Sequence, residues 1–563
     1  MKSFPAEAWQ KLWQQHHRTK SLLNIFSYKR DNGQPSEQGQ ANDQQQDMPG
    51  NGNNDEDPPE LKKPGYTKAQ LVGLILGPLL FTITMLFLDP EGLSAAGRSV
   101  LAVTLWVATW WVTEALPIPA TSLLPLFLIP MTGALDGDTV ASAYGDDVIF
   151  LFLGGFFIAT AMEKWNLHQR IALAIIAAIG TSTQRILLGF MVATGFLSMW
   201  VSNTAAVMMM IPMGLAITAQ VAESLKDTPE EKELPRFEKA LIFGIGYAGT
   251  IGGIGTLIGT PPNIILAGQM DQLFGVTISF ATWMLFGVPV VIILLAATWL
   301  YLGRMQFKTS IKQLPGGQAL IQKERTALGK ISYEESMVAF VFSFAAFMWV
   351  TREFLWDEDE GLVLQIPGIS DGTIAILAAV LLFAIPAKSG ISSRILDWSD
   401  SKEIPWGVLL LFGGGLAIAA GFTGSGLSEW IGDQLTVLAG FHIFVIILAT
   451  AVLIMALTEI TSNTATATMI LPVVASLALA LDIHPFALMF PAALAANCAF
   501  MLPVGTPPNA IIYATGKLRI IEMVRAGFAV NIYATMLIVL AVYYLVPIVW
   551  GIDLMSFPQE FMN

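Results

Sequence analysis

From Lys68 onward the chain alternates between long apolar runs and short polar connections. Runs such as Leu71 to Leu88 and Phe528 to Trp550 approach the roughly 20 residues a helix needs to cross a bilayer. The pattern predicts an all-α polytopic membrane protein whose core covers 67–550, with a short C-terminal tail over 551–563. Residues 1–66 break the pattern. From Asp31 to Glu60 there is no Lys, Arg, aromatic or branched aliphatic residue, so the stretch cannot bury enough surface to offset chain entropy. We read 31–66 as a disordered polar linker. Over 1–30, Trp9, Trp13, Leu22, Leu23, Ile25 and Phe26 stand among Lys11, Arg18, Lys20 and Lys29. That spacing fits either an amphipathic segment at a membrane surface or a tail with no role of its own. It lacks the uninterrupted apolar core of a cleavable signal peptide.

The charged connections orient the spans, because cytoplasmic loops carry the excess of Lys and Arg. Lys62, Lys63 and Lys68 place the start of the first span inside. The connections Arg304 to Lys330, Lys388 to Lys402 and Lys517 to Arg525 are basic and expected inside. Asp136 to Asp147, Asp357 to Asp371 and the tail after Trp550 carry acids without bases and are expected outside. An N-terminus inside and a C-terminus outside require an odd number of crossings, about eleven by the run of apolar blocks.

Two further apolar segments, 186–221 and 441–481, are interrupted near the middle by the same polar word, Ser202-Asn203-Thr204 and Ser462-Asn463-Thr464. Such a break fits a turn outside the membrane. It fits equally the tip of a re-entrant hairpin, which is tolerated at depth only against protein or a wet cavity. The match between the halves goes further. Gly259-Thr260-Pro261-Pro262-Asn263 returns unchanged as Gly505-Thr506-Pro507-Pro508-Asn509, Met209 and Pro212 recur as Met469 and Pro472, and Gly154-Gly155 has a counterpart in Gly413-Gly414. The chain therefore holds two copies of one unit, about 96–305 and about 335–550. The charge pattern makes them inverted relative to each other. Inverted repeats with paired Gly/Pro interruptions point to a secondary transporter whose site lies where the interruptions meet.

Composition narrows the chemistry. With 54% hydrophobic and 13% charged residues and a mean hydropathy of +0.60, the chain departs from the roughly 25% charged composition of soluble domains. A single cysteine, Cys498, excludes internal disulfides and cysteine-rich metal sites. The five histidines, His16, His17, His168, His442 and His484, form no HExxH and no close pair within a span, so no enzyme site assembles. The net charge of −13 is not gathered into a docking block, and a nucleic-acid partner is not expected.

Pro-Pro inside an apolar segment stops a helix, because proline lacks the amide donor and clashes with the preceding turn. The freed carbonyls, with Asn and Ser/Thr oxygens, are hard neutral ligands suited to Na⁺. The freed amides and positive helix ends suit an anion. No Lys or Arg occurs from Ala240 to Gly303 or from Glu403 to Gly516, so a bound anion must be balanced by dipoles and co-bound cations. Glu459 and Glu114 lie at expected helix ends and are read as structural hydrogen-bonding groups rather than as proton carriers. The run Met208-Met209-Met210 is read as packing.

On these motifs, together with Leu197-Ser198-Met199-Trp200-Val201, the chain from Lys68 to Trp550 resembles the divalent anion/sodium symporter family. That group includes bacterial INDY-type carriers and human sodium-coupled dicarboxylate, citrate and sulfate transporters. The resemblance implies a homodimer of eleven-helix protomers in the plasma membrane (the inner membrane of a bacterium). In each protomer a transport domain would move as an elevator, with the Ser-Asn-Thr words at two re-entrant tips. By position it implies one Na⁺ site at Ser198, Ser202, Asn203 and Gly259 and another at Thr458, Thr461, Asn463 and Gly505. Substrate carboxylates would meet Ser202, Asn203, Ser462, Asn463, Thr464, Thr506 and Pro507. Two similar tips facing one cavity match a C4-dicarboxylate such as succinate, malate or fumarate. Citrate, sulfate and sodium-independent exchange are the alternatives within the family.

Overall fold

In a computed structural model, the structure describes residues 66–558 and 561, apart from 181, 312–316, 357–360, 391 and 436–439. The amphipathic segment expected over 1–30, and the polar linker expected over 31–66 up to residue 65, lie outside the described residues. Contacts divide the chain into Met1–Leu71 and Val72–Asn563. In the first unit, Thr67 N donates to Gln70 Oε1 at 2.9 Å and Gln70 N to Thr67 Oγ1 at 3.3 Å, a reciprocal cap at the start of a helix.

Regular structure among the described residues is helical, apart from isolated bridge positions such as the pair Pro386 and Arg394. The helices used below are α1 (Lys68–Phe87), α2 (Ala95–Thr113), α3 (Asp147–Lys164), α4 (Leu167–Ile179), α5 (Thr183–Ser198), α6 (Asn203–Ser224), α7 (Leu234–Gly252), α8 (Pro261–Phe274) and α9 (Phe280–Leu300). The second half supplies α10 (Tyr333–Thr351), α11 (Asp371–Ala384), α12 (Trp406–Gly424), α13 (Leu427–Leu435), α14 (Ile443–Thr458), α15 (Asn463–Ala480), α16 (Phe486–Ala496), α17 (Pro507–Ala514) and α18 (Ile520–Leu540).

Among the described residues, nine helices are long and apolar enough to cross a membrane. This is a tally of helix length and composition, not of crossings. Two of the nine are α6 and α15, which follow the Ser-Asn-Thr words. Conversely, α11 has 14 residues and α16 has 11, because a capped turn or the helix break before Pro507 cuts each short. Large apolar side chains such as Ile75, Leu86, Ile292, Phe340 and Leu453 are exposed. Apolar faces of this extent are stable against lipid or a partner rather than water.

The two repeats are built alike and interlock. In the first, α5 packs on α7; in the second, α14 packs on α16. Each return arm then crosses to the other repeat, α6 against α17 and α15 against α8. Gln269 Nε2 donates to Thr468 O at 3.3 Å across the second of these contacts. The paired glycines mark close crossings in both halves: a Cβ on Gly154 would lie 2.5 Å from the Ala375 backbone in α11, and one on Gly414 would lie 2.6 Å from Ser122 O. A charged clamp joins α4 to the start of α10, where Arg170 meets Glu335 at 3.0 Å and donates to Gly329 O at 3.1 Å.

Candidate functional site

The first Ser-Asn-Thr word closes the non-helical turn between α5 and α6, with Ser202 in the turn and Asn203 and Thr204 opening α6. Ser202 is the N-cap of α6, its hydroxyl accepting from Ala205 N at 3.1 Å, which is why the helix restarts there. Asn203, the first helical residue, is half-buried and turns its amide toward α5 and α7. Ser198 Oγ, fully buried, lies 2.5 Å from Asn203 Oδ1 and 2.5 Å from Gly249 O. Asn203 Oδ1 also stands 3.2 Å from both Gly249 O and Gly259 O. A cluster of oxygens thus converges with one hydroxyl hydrogen to share. Two arrangements resolve it: the Asn203 amide turned so that its nitrogen donates to the carbonyls, or a cation among the oxygens. The donor set is hard and neutral, the composition that suits Na⁺. Gly253 walls this cluster, and a Cβ there would come within 2.6 Å of Asn203 Oδ1.

The second word repeats the arrangement. Ser462 is the N-cap of α15, 3.5 Å from Ala465 N. Thr458 Oγ1, also fully buried, lies 2.6 Å from Asn463 Oδ1 and 2.8 Å from Ala496 O. Again one hydroxyl faces two acceptors. Thr461 is placed differently: its hydroxyl donates to Leu457 O at 2.7 Å and lies 2.6 Å from Thr466 Oγ1. The side chains of Ser198, Asn203, Thr458 and Asn463 are therefore brought into paired clusters. The carbonyls of Gly249 and Ala496 join them, although neither residue was expected at the site. Main-chain ligands leave no mark in a sequence.

The two breaks lie beside these clusters. Asn263 Nδ2 donates to Gly253 O at 3.0 Å and Thr256 O at 2.8 Å, and Asn509 Nδ2 donates to Ala499 O at 2.9 Å and Leu502 O at 3.0 Å. Each asparagine of Gly-Thr-Pro-Pro-Asn thus closes the loop ahead of its own helix, a role missed in the sequence although the repeat of Asn at that position was the available signal. Gly259 and Gly505 are buried in the two breaks, and Pro507 is exposed at the start of α17. Thr506 Oγ1 is buried without a hydrogen-bond partner among the described residues. Thr464 is half-buried on the first turn of α15, its carbonyl accepting from Thr468 Oγ1 at 2.8 Å.

Glu459, the C-cap of α14, is buried and lies over the second break. Its Oε1 accepts from Phe500 N at 2.9 Å, Met501 N at 3.0 Å and Asn531 Nδ2 at 2.8 Å. Its Oε2 accepts from Met501 N at 3.1 Å and Leu502 N at 3.2 Å. The carboxylate therefore serves the backbone donors of an irregular loop, as expected of a helix-end group. Glu114 likewise ends α2, in the left-handed region at φ 47°.

Comparison with known proteins adds the family context. The family model described as the sodium:sulfate symporter transmembrane region matches residues 68–555. The chain is 57% identical over 492 residues to the sodium-dependent dicarboxylate transporter SdcS of Staphylococcus saprophyticus, covering 87% of this chain and 93% of that protein. The protein of the same name from Staphylococcus aureus strain USA300 is 56% identical over 494 residues, 88% of this chain and 94% of that one. Among solved structures, the YdaH transporter of Alcanivorax borkumensis matches with a TM-score of 0.52 at 15% identity, covering 86% of this chain and 99% of that chain. At that identity the likeness concerns the fold alone.

Proposed function

The chain belongs to the sodium:sulfate symporter family, and from that premise we propose that it is a sodium-coupled transporter importing C4-dicarboxylates such as succinate, malate and fumarate. The observation that supports the reading is the matched pair of polar clusters. The hydroxyls of Ser198 and Thr458, which play the same part in the two repeats, each lie 2.5–2.8 Å from an asparagine side-chain amide and from a main-chain carbonyl. Each cluster gathers hard neutral oxygens of the kind that coordinate Na⁺. One Na⁺ would be held by Ser198, Ser202, Asn203 and Gly259 with Gly249 O, and the other by Thr458, Thr461, Asn463 and Gly505 with Ala496 O.

The substrate would lie across the two tips, its carboxylates on Ser202, Asn203, Ser462, Asn463 and Thr464 and on the Thr506-Pro507 break. These donors are neutral, and no Lys or Arg interrupts 240–303 or 403–516. A dianion brought there is balanced by the co-bound cations, so ion and substrate each improve the other's binding. That reciprocity is the physical basis of coupling. In proteoliposomes with an inward Na⁺ gradient, succinate is expected to compete for uptake far better than sulfate, and uptake is expected to fall at acidic pH as the dianion is protonated. Potent sulfate competition without an effect of succinate would assign the compact tetrahedral anion instead.

The reading includes two re-entrant hairpins, inverted repeats, an elevator movement and a homodimer in the plasma membrane. The outgoing arms α5 and α14 have 16 residues each, about 24 Å of helix against a hydrocarbon core of about 30 Å. Arms of that length support tips that stop within the membrane. Orientation is open to a direct test in a Cys498→Ser background, the parent cysteine being buried. A cysteine replacing Gly361 is expected to react with an impermeant thiol reagent outside whole cells, and one replacing Ser399 is not. The opposite labelling would invert the topology.

A further inference from the structure

The two oxygen clusters are joined by a side chain that follows one of their own ligands. Asn497 is buried and comes directly after Ala496, whose carbonyl faces the Thr458 hydroxyl. Its side chain crosses into the first repeat. There Asn497 Oδ1 accepts from Thr260 Oγ1 at 2.9 Å, and Asn497 Nδ2 donates to Asn263 Oδ1 at 2.9 Å and to Ala493 O at 3.3 Å. Both first-repeat partners adjoin residues that line the other cluster. Thr260 follows Gly259, whose carbonyl stands 3.2 Å from Asn203 Oδ1. Asn263 holds Gly253 O at 3.0 Å, and Gly253 forms the wall against the Asn203 amide.

The reciprocal link is not made. Thr250 follows Gly249 as Asn497 follows Ala496, and Thr506 and Asn509 are the counterparts of Thr260 and Asn263. Thr250 Oγ1, Thr506 Oγ1 and Asn509 Oδ1 are all buried and have no hydrogen-bond partner among the described residues. The shorter threonine makes none of the bonds that the asparagine makes. Among the described residues, a path of hydrogen bonds and peptide links therefore runs from one cluster to the edge of the other through Asn497.

We propose that Asn497 is the positioning residue that couples the two cation sites, an inference that rests on reading both tips as Na⁺ sites. A cation drawing on the Ala496 carbonyl orders the end of α16, and with it the Asn497 amide. That amide sets Thr260 and Asn263, which shape the loop and break that line the first site. Whatever ordering the first cation requires is then partly met when the second is bound, and the converse holds by linkage. A hydrogen-bonded chain is a physical route for such coupling, and it is open to a thermodynamic cycle.

The test is equilibrium binding of radiolabelled Na⁺ to purified protein without substrate. Removing the second site by Asn463→Ala is expected to weaken Na⁺ binding at the remaining site by about fivefold or more. In an Asn497→Thr background, which installs the residue that follows the Gly249 carbonyl in the first repeat, the same change is expected to cost less than about twofold. Thr250→Asn, which offers a longer amide side chain to the unpartnered Thr506 and Asn509 groups, is expected to enlarge the effect of Asn463→Ala. A drop that persists in the Asn497→Thr background, even with lowered thermal stability, would make Asn497 a structural tie only and overturn the proposal. Absence of a drop in the parent would also overturn it. If Asn497→Thr does not insert, Thr250→Asn decides, and an unchanged drop there sinks the idea. Full Na⁺ binding in the Asn203→Ala, Asn463→Ala double variant would be a different failure, that of the cation-site reading itself.

Discussion

Asn203→Ala and Asn463→Ala are each expected to abolish or nearly abolish Na⁺-driven dicarboxylate uptake while leaving a folded, inserted protein. Each asparagine is the first residue of a helix that its neighbouring serine caps, through Ser202 to Ala205 N and Ser462 to Ala465 N. The cap survives the substitution, and alanine is a good helix former. What is lost is the amide oxygen that meets Ser198 Oγ at 2.5 Å in one site and Thr458 Oγ1 at 2.6 Å in the other. Outer-shell changes at metal sites already cost about 10-fold to 100-fold in affinity, and a directly coordinating oxygen should cost no less. Uptake by the purified variants at graded Na⁺ concentrations is the measurement. Normal transport with unchanged Na⁺ dependence in either variant would remove that asparagine from the site.

Glu459→Ala is expected to fail earlier, in folding. The substitution strands the backbone donors of Phe500, Met501 and Leu502 and the Asn531 amide. A buried donor left unpaired costs about 1–3 kcal/mol, so four of them together rival a large part of a total stability of about 5–15 kcal/mol. Glu459→Gln keeps the shape and one acceptor oxygen but turns an NH₂ toward amide donors, so it should insert with reduced thermal stability. The comparison separates two roles for this carboxylate. A proton carrier would tolerate glutamine in folding and lose a pH-dependent step in transport. A group that holds the loop would lose stability in both variants, most in alanine, as read by thermal unfolding in detergent. An alanine variant with the parent's melting temperature would show that the loop does not depend on Glu459.

What the sequence by itself determined is what local interactions decide. Apolar runs set the helices, since burying a peptide backbone in lipid demands internal hydrogen bonding. Ser202 and Ser462 cap the helices that follow them because the capping contact spans three residues. Pro261-Pro262 and Pro507-Pro508 stop helices because proline's effect is confined to the preceding turn. The repetition of both words singled out the two turns and the two breaks without any fold.

The tertiary structure decided which groups meet. Gly249 and Ala496 enter the clusters through carbonyls, and a carbonyl belongs to every residue alike, so only packing selects them. The crossing of α6 to α17 and of α15 to α8 is chosen by complementary faces far apart in the chain. Glu459 finds its donors 41 to 72 positions away, and Asn497 finds Asn263 at a separation of 234. Thr461, placed by the family pattern in a cation site, turns its hydroxyl to Leu457 O and Thr466 Oγ1. Spacing and composition act within a turn or two of helix. The partner of a buried polar group is settled by whichever donor or acceptor the packed chain brings within about 3 Å, and that choice exists only once the two repeats have closed on each other.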